Sequence, residues 1–194
     1  MSLNFEGLPA PWVLTDIGST NHIGGALESN GVYTVTGAGY LNNASDKFTF
    51  VSQPLMADGE INAQLTQLGS LSGTRTGLMI RESLAPGAKF VFIGFSPDGS
   101  IYLLSRTATN GKISSSASSR AKSGNWLRLV RNGKYIRAYR SSNGASWSSV
   151  GSVSISMAAN IQMGMAQAPT TPGLGARLSD SFKQQAGLIV RESR

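Results

Sequence analysis

Cysteine is missing from all 194 residues, which excludes disulfides, thiolate metal sites and cysteine nucleophiles and leaves the redox compartment open. Histidine occurs once, as His22 in the loop-like STNHIGG, so a serine hydrolase would have to use it as base. No G-x-S-x-G elbow accompanies it, and zinc finds no cluster of His, Cys or carboxylate. No apolar run is long enough to span a membrane, so membrane insertion is not expected. The start, MSLNFEGLPAPWVL, has no basic leader and is interrupted by Pro9 and Pro11, so it does not read as a signal peptide. If the protein works outside a cell, it is then expected to be cut from a longer exported chain or released by lysis, as virus structural proteins are. Acids are scarce too. There are 10 Asp and Glu against 17 Lys and Arg, and not one acid lies between Asp98 and Asp180.

What is present points to strands. The 23 glycines, and apolar residues at 40%, favour many short strands and turns over helices. Asn30-Gly31 in ALESNGVYTVTG is a hairpin signal, because both central residues of a type I′ turn need positive φ. DKFTFVSQPL reads as an alternating strand stopped by Pro54. In GEINAQLTQL, Ile61, Ala63 and Leu65 alternate with Asn62, Gln64 and Thr66, as in a sheet with one wet face. TGLMIRES and AKFVFIGFS are more continuously apolar and belong nearer the core, and SPDGS turns the chain into IYLLSR. TATNGKISSSASSRAKSGN reads as a long loop or as short ragged strands. GSVSIS, NIQMGMAQA and ARLSDSFK supply the last strands. The expectation is one all-β domain over 1–185. A tail over 186–194 carries AGLIVRES, an echo of TGLMIRES at Thr76–Ser83 that fits chance, the trace of an adjoining repeat, or an extra strand for its own or a neighbouring sheet.

The hairpin WLRLVRNGKYIRAYR concentrates the positive charge, with Arg128, Arg131, Lys134, Arg137 and Arg140 and no acid. With Asn132-Gly133 as the two-residue loop, Arg131 pairs with Lys134, Val130 with Tyr135, Arg128 with Arg137 and Trp126 with Tyr139. Leu127, Leu129, Ile136 and Ala138 then form an apolar face. The other face shows Trp126, Arg128, Val130, Tyr135, Arg137 and Tyr139. Arginine opposite arginine costs stability, so a ring or an anion is needed to offset it. Aromatic rings beside guanidinium forks suit a sugar carrying carboxylate, sulfate or phosphate, while the plainer reading has the aromatics cover the sheet and the arginines fan into water.

From about Ala10 to Phe182 the chain resembles the concanavalin A-like lectin/glucanase superfamily, and within it laminin-G-like jelly-roll modules of bacterial secreted or phage proteins. The stretches carrying the likeness are WVLTDIGS, FTFVSQPLMADGEINAQL, TGLMIRESLAPGAKFVFIGFSPDGSIYLLSR, WLRLVRNGKYIRAYRSSNGASWSSVGSVSISM and ARLSDSF. The resemblance implies a sandwich of two curved antiparallel sheets, the concave one often used for glycans. SSNGASW, Ser141–Trp147, also looks like the Asp-box turn of sialidase-type propellers, with Asn143 where Asp is usual. That motif is structural: its polar residue ties back to the backbone while Trp147 packs beneath it. The superfamily's glucanases carry paired carboxylates at E-x-D-x-x-E spacing on one strand, and this chain has no such spacing. Glycosidase activity is therefore not expected.

GAGYLN and GLGARL fail the dinucleotide and P-loop patterns. No cofactor is expected, except that laminin-G-like modules often hold calcium, for which Asp16, Asp46 and Asp58 are the candidates, though each is isolated and fits a turn residue better. The leading expectation is a noncatalytic, lectin-like module for an acidic or phosphorylated glycan, with Trp126, Arg128, Tyr135, Arg137 and Tyr139 as contacts and Tyr102 and Arg106 as neighbours. The alternative is a decoration or adhesin protein of a virion or other assembly, which would bring a virion partner or homo-oligomer. Nucleic-acid binding through the basic face comes third, since the charge suits it but nothing resembles a reader module. An extracellular or virion-surface location goes with the first two readings.

Overall fold

The computed structural model describes residues 7–19, 23–66, 74–96, 98–120, 126–169 and 178–183. The described residues form strands and no helix: β1 (Val13–Ile17), β2 (Gly25–Ser29), β3 (Val32–Gly37), β4 (Phe48–Met56), β5 (Gly59–Leu65), β6 (Thr74–Arg81), β7 (Phe90–Phe95), β8 (Ser100–Arg106), β9 (Ser114–Arg120), β10 (Trp126–Asn132), β11 (Tyr135–Ser141), β12 (Ser148–Ser154), β13 (Asn160–Pro169) and β14 (Leu178–Lys183). They build two seven-stranded antiparallel sheets. The first runs β1-β4-β13-β6-β7-β8-β9 and the second β12-β11-β10-β5-β14-β3-β2.

Local chemistry sets most of these pairings. Asn30 and Gly31 both have positive φ, 52° and 75°, and join β2 to β3 with Ser29 opposite Val32, as a type I′ turn requires. β7 and β8 pair as expected across the SPDGS turn, where Asp98 takes the N–H and hydroxyl of Ser100 at 3.0 Å each. One expectation is corrected and one open alternative is decided. Pro54 does not stop β4, which continues to Met56. Pro54 lies beyond the β1 pairing, which ends at Ser52, so β4 has no partner on that side and a missing N–H breaks no ladder there. Within TATNGKISSSASSRAKSGN, the strand alternative holds over Ser114–Arg120, which pairs with β8 and carries an irregularity opposite Ser100 and Ile101.

Side-chain alternation divides the interior into two cores. Leu55, Ile61, Leu78, Ile80, Val91, Ile93, Leu127, Leu129 and Ile136 fill the space between the sheets. Each such side chain contributes about 1.5–3 kcal/mol when taken out of water. The opposite, outer face of the first sheet is apolar as well: Phe48, Phe50, Met79, Phe90, Phe92 and Leu104 form a second buried cluster, with Leu41 and Ile113 packed on it. Loops 38–47, 82–89 and 107–113 close over one part of that face. They are fastened to each other by backbone bonds from Asp46 to Pro86, Ala44 to Gly111 and Asn110 to Gly87, between 2.8 and 3.1 Å. The outer face of the second sheet has no such roof of described residues, and its β5, β10 and β11 positions are half-buried or exposed apart from Ser141. The tail 186–194, with the echo of β6, and His22 lie outside the described residues.

Candidate functional site

The charged hairpin is β10 and β11 of the second sheet, and its register differs from the sequence expectation by two residues. Asn132 pairs with Tyr135, so the loop is Gly133-Lys134. Only Gly133 has positive φ, 57°, which fits a turn of the II′ kind with glycine first. Asp58 at the foot of β5 accepts the Gly133 N–H at 2.7 Å and holds the turn there. A shift of two keeps every residue on its face and changes its partner. Leu127, Leu129, Ile136 and Ala138 are buried as expected. Arg128 now faces Tyr139, and Arg137 faces Val130, so the two arginines do not oppose each other.

The five cations fall into four roles. Arg131 lies on the inner face, 7% exposed, and its guanidinium donates to the carbonyls of Met157, Ala158 and Ala159 at 3.4, 2.8 and 3.3 Å. It caps a loop. Arg140 sits opposite Leu127, half-buried at the rim of the core. Lys134 and Arg137 both approach the Tyr135 ring, at 5.4 and 5.7 Å, near the turn. Arg128 is held between two rings, with its guanidinium carbon 5.9 Å from the centroid of Tyr139 and 5.5 Å from that of Trp147. It also donates to Glu60 of β5, in a pair whose side chains are 29% and 23% exposed. Glu60 stands opposite Val130 and Asn62 opposite Arg128, so a carboxylate and an amide share this outer face with the guanidinium.

Trp126 and Trp147 are placed by the Ser141–Trp147 loop. The Asn143 side chain accepts the N–H groups of Ala145 and Ser146, both at 2.9 Å, and the Ser141 hydroxyl at 3.0 Å. This is the backbone tie expected of the motif. Gly144 then lies flat on the Trp126 indole, so close that a Cβ there would stand 2.8 Å from the ring. Trp126 is therefore the ring beneath the loop, and Trp147 lies over Arg128 instead. Sequence reasoning left Trp147 and Glu60 out of the site. The only signals for them were the motif's terminal tryptophan and an acid two residues from Asp58.

Two expected neighbours do not belong to this surface. Tyr102 is on β8 of the other sheet, facing outward on the opposite side of the sandwich, where the Arg75 guanidinium covers its ring at 4.2 Å. Burial pushes the Arg75 pKa down, and Tyr102 opposes that shift. Arg106 is fully buried under the roof. It bonds Asp46 at 2.6 and 2.7 Å and the carbonyls of Asn42, Ala88 and Gly111. Arg81 reaches the same carboxylate at 2.7 Å and the carbonyls of Ser83, Ala85 and Pro86. Desolvation lowers the Arg81 pKa and Asp46 works against that shift. A side chain with no exposure and a full set of acceptors cannot meet a ligand.

The aspartates considered for calcium do not converge either. Asp46 serves the two arginines, Asp58 the Gly133 N–H, and Asp16 the Thr49 hydroxyl and the Gly24 N–H at 2.8 and 2.9 Å. Among the described residues no three His, Asp or Glu side chains gather as metal ligands, and no helix is long and apolar enough to cross a membrane.

No family model and no curated protein matches the chain. Solved structures do match its fold. A protein of unknown function from Saccharomyces cerevisiae is 17% identical, covers 91% of this chain and 97% of its own, and superposes with a TM-score of 0.63. The β-glucanase of Bacillus licheniformis is 12% identical, covers 92% of both chains and gives 0.60. The carbohydrate-binding module CBM66 of Bacillus subtilis is 12% identical over 88% of this chain and 92% of its own, at 0.54. With its two antiparallel sheets and these neighbours, the chain has the concanavalin A-like jelly-roll fold, a sandwich found in both carbohydrate-cleaving and carbohydrate-binding proteins.

Proposed function

We propose that this protein is a noncatalytic glycan-binding module, and that its contact surface is the outer face of the second sheet around Arg128. The observation that carries the reading is the Arg128 side chain, held between Tyr139 and Trp147 and joined to Glu60 on a half-exposed face. Rings offer flat surface to the C–H face of a sugar, and a guanidinium beside a carboxylate offers donors and acceptors to its hydroxyls. Tyr135 and Arg137 extend the surface toward the turn. Trp126 supports it from below. The neighbours of this fold include a carbohydrate-binding module, which supports the reading. They also include hydrolases, so absence of catalysis is part of the proposal. It is supported by the lack, in this sequence, of the E-x-D-x-x-E carboxylate spacing of the glucanases. Such a module is proposed to act outside the cell or on a particle surface, where polysaccharide is met.

The test is a glycan array followed by titration of the hits, with Trp147→Ala and Arg128→Ala beside the parent chain and near-UV circular dichroism to show that the variants fold. Binding that falls at least tenfold in both folded variants supports the surface. Binding untouched by either removes it. Release of reducing ends from a bound polysaccharide, lost in Glu60→Gln, would overturn the noncatalytic assignment.

A further inference from the structure

We infer that the sugar accepted at this surface is neutral, and that Glu60 is the residue that sets this preference. The inference rests on the glycan-binding reading above and concerns its ligand class. The basic composition of the hairpin points toward an anion, but the placement of its cations does not. Arg131 is spent on backbone carbonyls, and Arg140 lies opposite the buried Leu127, off the outer face. Arg137 and Lys134 are drawn to Tyr135 at the turn. Arg128 and Glu60 cancel in formal charge, and Arg137, opposite Val130, is the next cation toward the turn.

A carboxylate, sulfate or phosphate taking an N–H of Arg128 would stand beside Glu60, like charge against like charge. A hydroxyl has no such difficulty. It can accept from an N–H of Arg128 and donate to a Glu60 oxygen, and two adjacent hydroxyls on one ring match an adjacent donor and acceptor. Their shared bond uses a small part of the capacity of either group, since a guanidinium has five N–H donors and an ionised carboxylate about four acceptor positions. The Tyr139 and Trp147 rings flank the guanidinium carbon at 5.9 and 5.5 Å and its Nε is buried, so the terminal N–H groups are what remain for recognition. Removing the charge of Glu60 while keeping its shape should therefore free Arg128 for anions, and exchange the preference.

The experiment titrates the whole chain and the folded Glu60→Gln variant with neutral polysaccharides (mixed-linkage β-glucan, xylan, galactomannan) and acidic ones (polygalacturonate, alginate, heparin), at 50 and 500 mM NaCl. The expected result is binding of a neutral polymer that changes less than twofold between the two salt concentrations. Glu60→Gln should weaken it at least fivefold and strengthen binding of an acidic polymer by at least as much. If the parent chain prefers an acidic polymer and loses tenfold or more at high salt, the inference fails while the glycan-binding reading stands. If Glu60→Gln leaves the preference unchanged, Glu60 does not set it and the inference fails again. If no polysaccharide binds under any condition, the glycan-binding reading falls, and the inference with it.

Discussion

The same pair of chemical groups, guanidinium and carboxylate, occurs at two places in this molecule with opposite consequences. Under the roof of the first sheet, Asp46 meets Arg81 and Arg106 with no solvent exposure at all. On the outer face of the second sheet, Glu60 meets Arg128 with about a quarter of each side chain still in water. The first site carries two cations for one acid, and its excess of donors is absorbed by loop carbonyls. The second is balanced in charge and surrounded by rings. Burial turns the first into a fastener, because any broken bond there leaves a charge unsolvated. Exposure leaves the second free to exchange partners at little cost, which suits a surface that has to meet something else.

Several changes would break or sharpen this contrast. The largest effect is expected from Asp46→Asn, which leaves two dry guanidiniums without their counter-charge and should cost about 3–5 kcal/mol, read from urea unfolding. A loss under 1 kcal/mol would mean that the roof is held by its apolar contacts alone. Next comes Arg131→Met, which keeps the apolar stem and strands the carbonyls of Met157, Ala158 and Ala159. A loss of about 1–3 kcal/mol is expected, with faster proteolysis around 155–159. Glu60→Gln should cost no more than about 1 kcal/mol, and a double-mutant cycle with Arg128→Lys should show a coupling that 0.5 M NaCl weakens. The same salt should leave the Asp46 effect unchanged, and if both respond alike the contrast between the sites disappears. Arg137→Ala should shift stability by less than about 0.5 kcal/mol, since it has no acid partner among the described residues and its neighbour Tyr135 is itself 42% exposed.

The sequence carried the fold further than the site. Strand alternation in β5 and the continuous apolar runs of β6 and β7 correctly separate one wet-faced strand from two buried on both faces. Asn30-Gly31 gives its hairpin register directly, whereas the identical dipeptide at Asn132-Gly133 misleads by two residues. The difference lies in a remote contact, since Asp58 captures the Gly133 N–H and the loop closes around Gly133-Lys134. Propensity within the hairpin cannot contain that information. Charge was the least legible feature. Ten cations stand in the acid-free middle of the chain, yet Arg106 and Arg131 are enclosed in the fold. Their partners come from 60 residues upstream in Asp46, and from backbone carbonyls, which carry no mark in a sequence. The likeness to concanavalin A-like proteins supplied the sandwich, and could not say which of its two outer faces is left open.

The clasp at Asp46 also bears on how the protein comes apart. Three segments distant in sequence converge on one carboxylate, and none of them can lift away without exposing the bonds of the other two. The aromatic layer beneath is then guarded collectively, like an arch whose stones share a single wedge. Amides of 40–47, 83–90 and 104–113 should accordingly exchange their hydrogens with one common opening rate, while the hairpin tip at Gly133 opens on its own and much sooner.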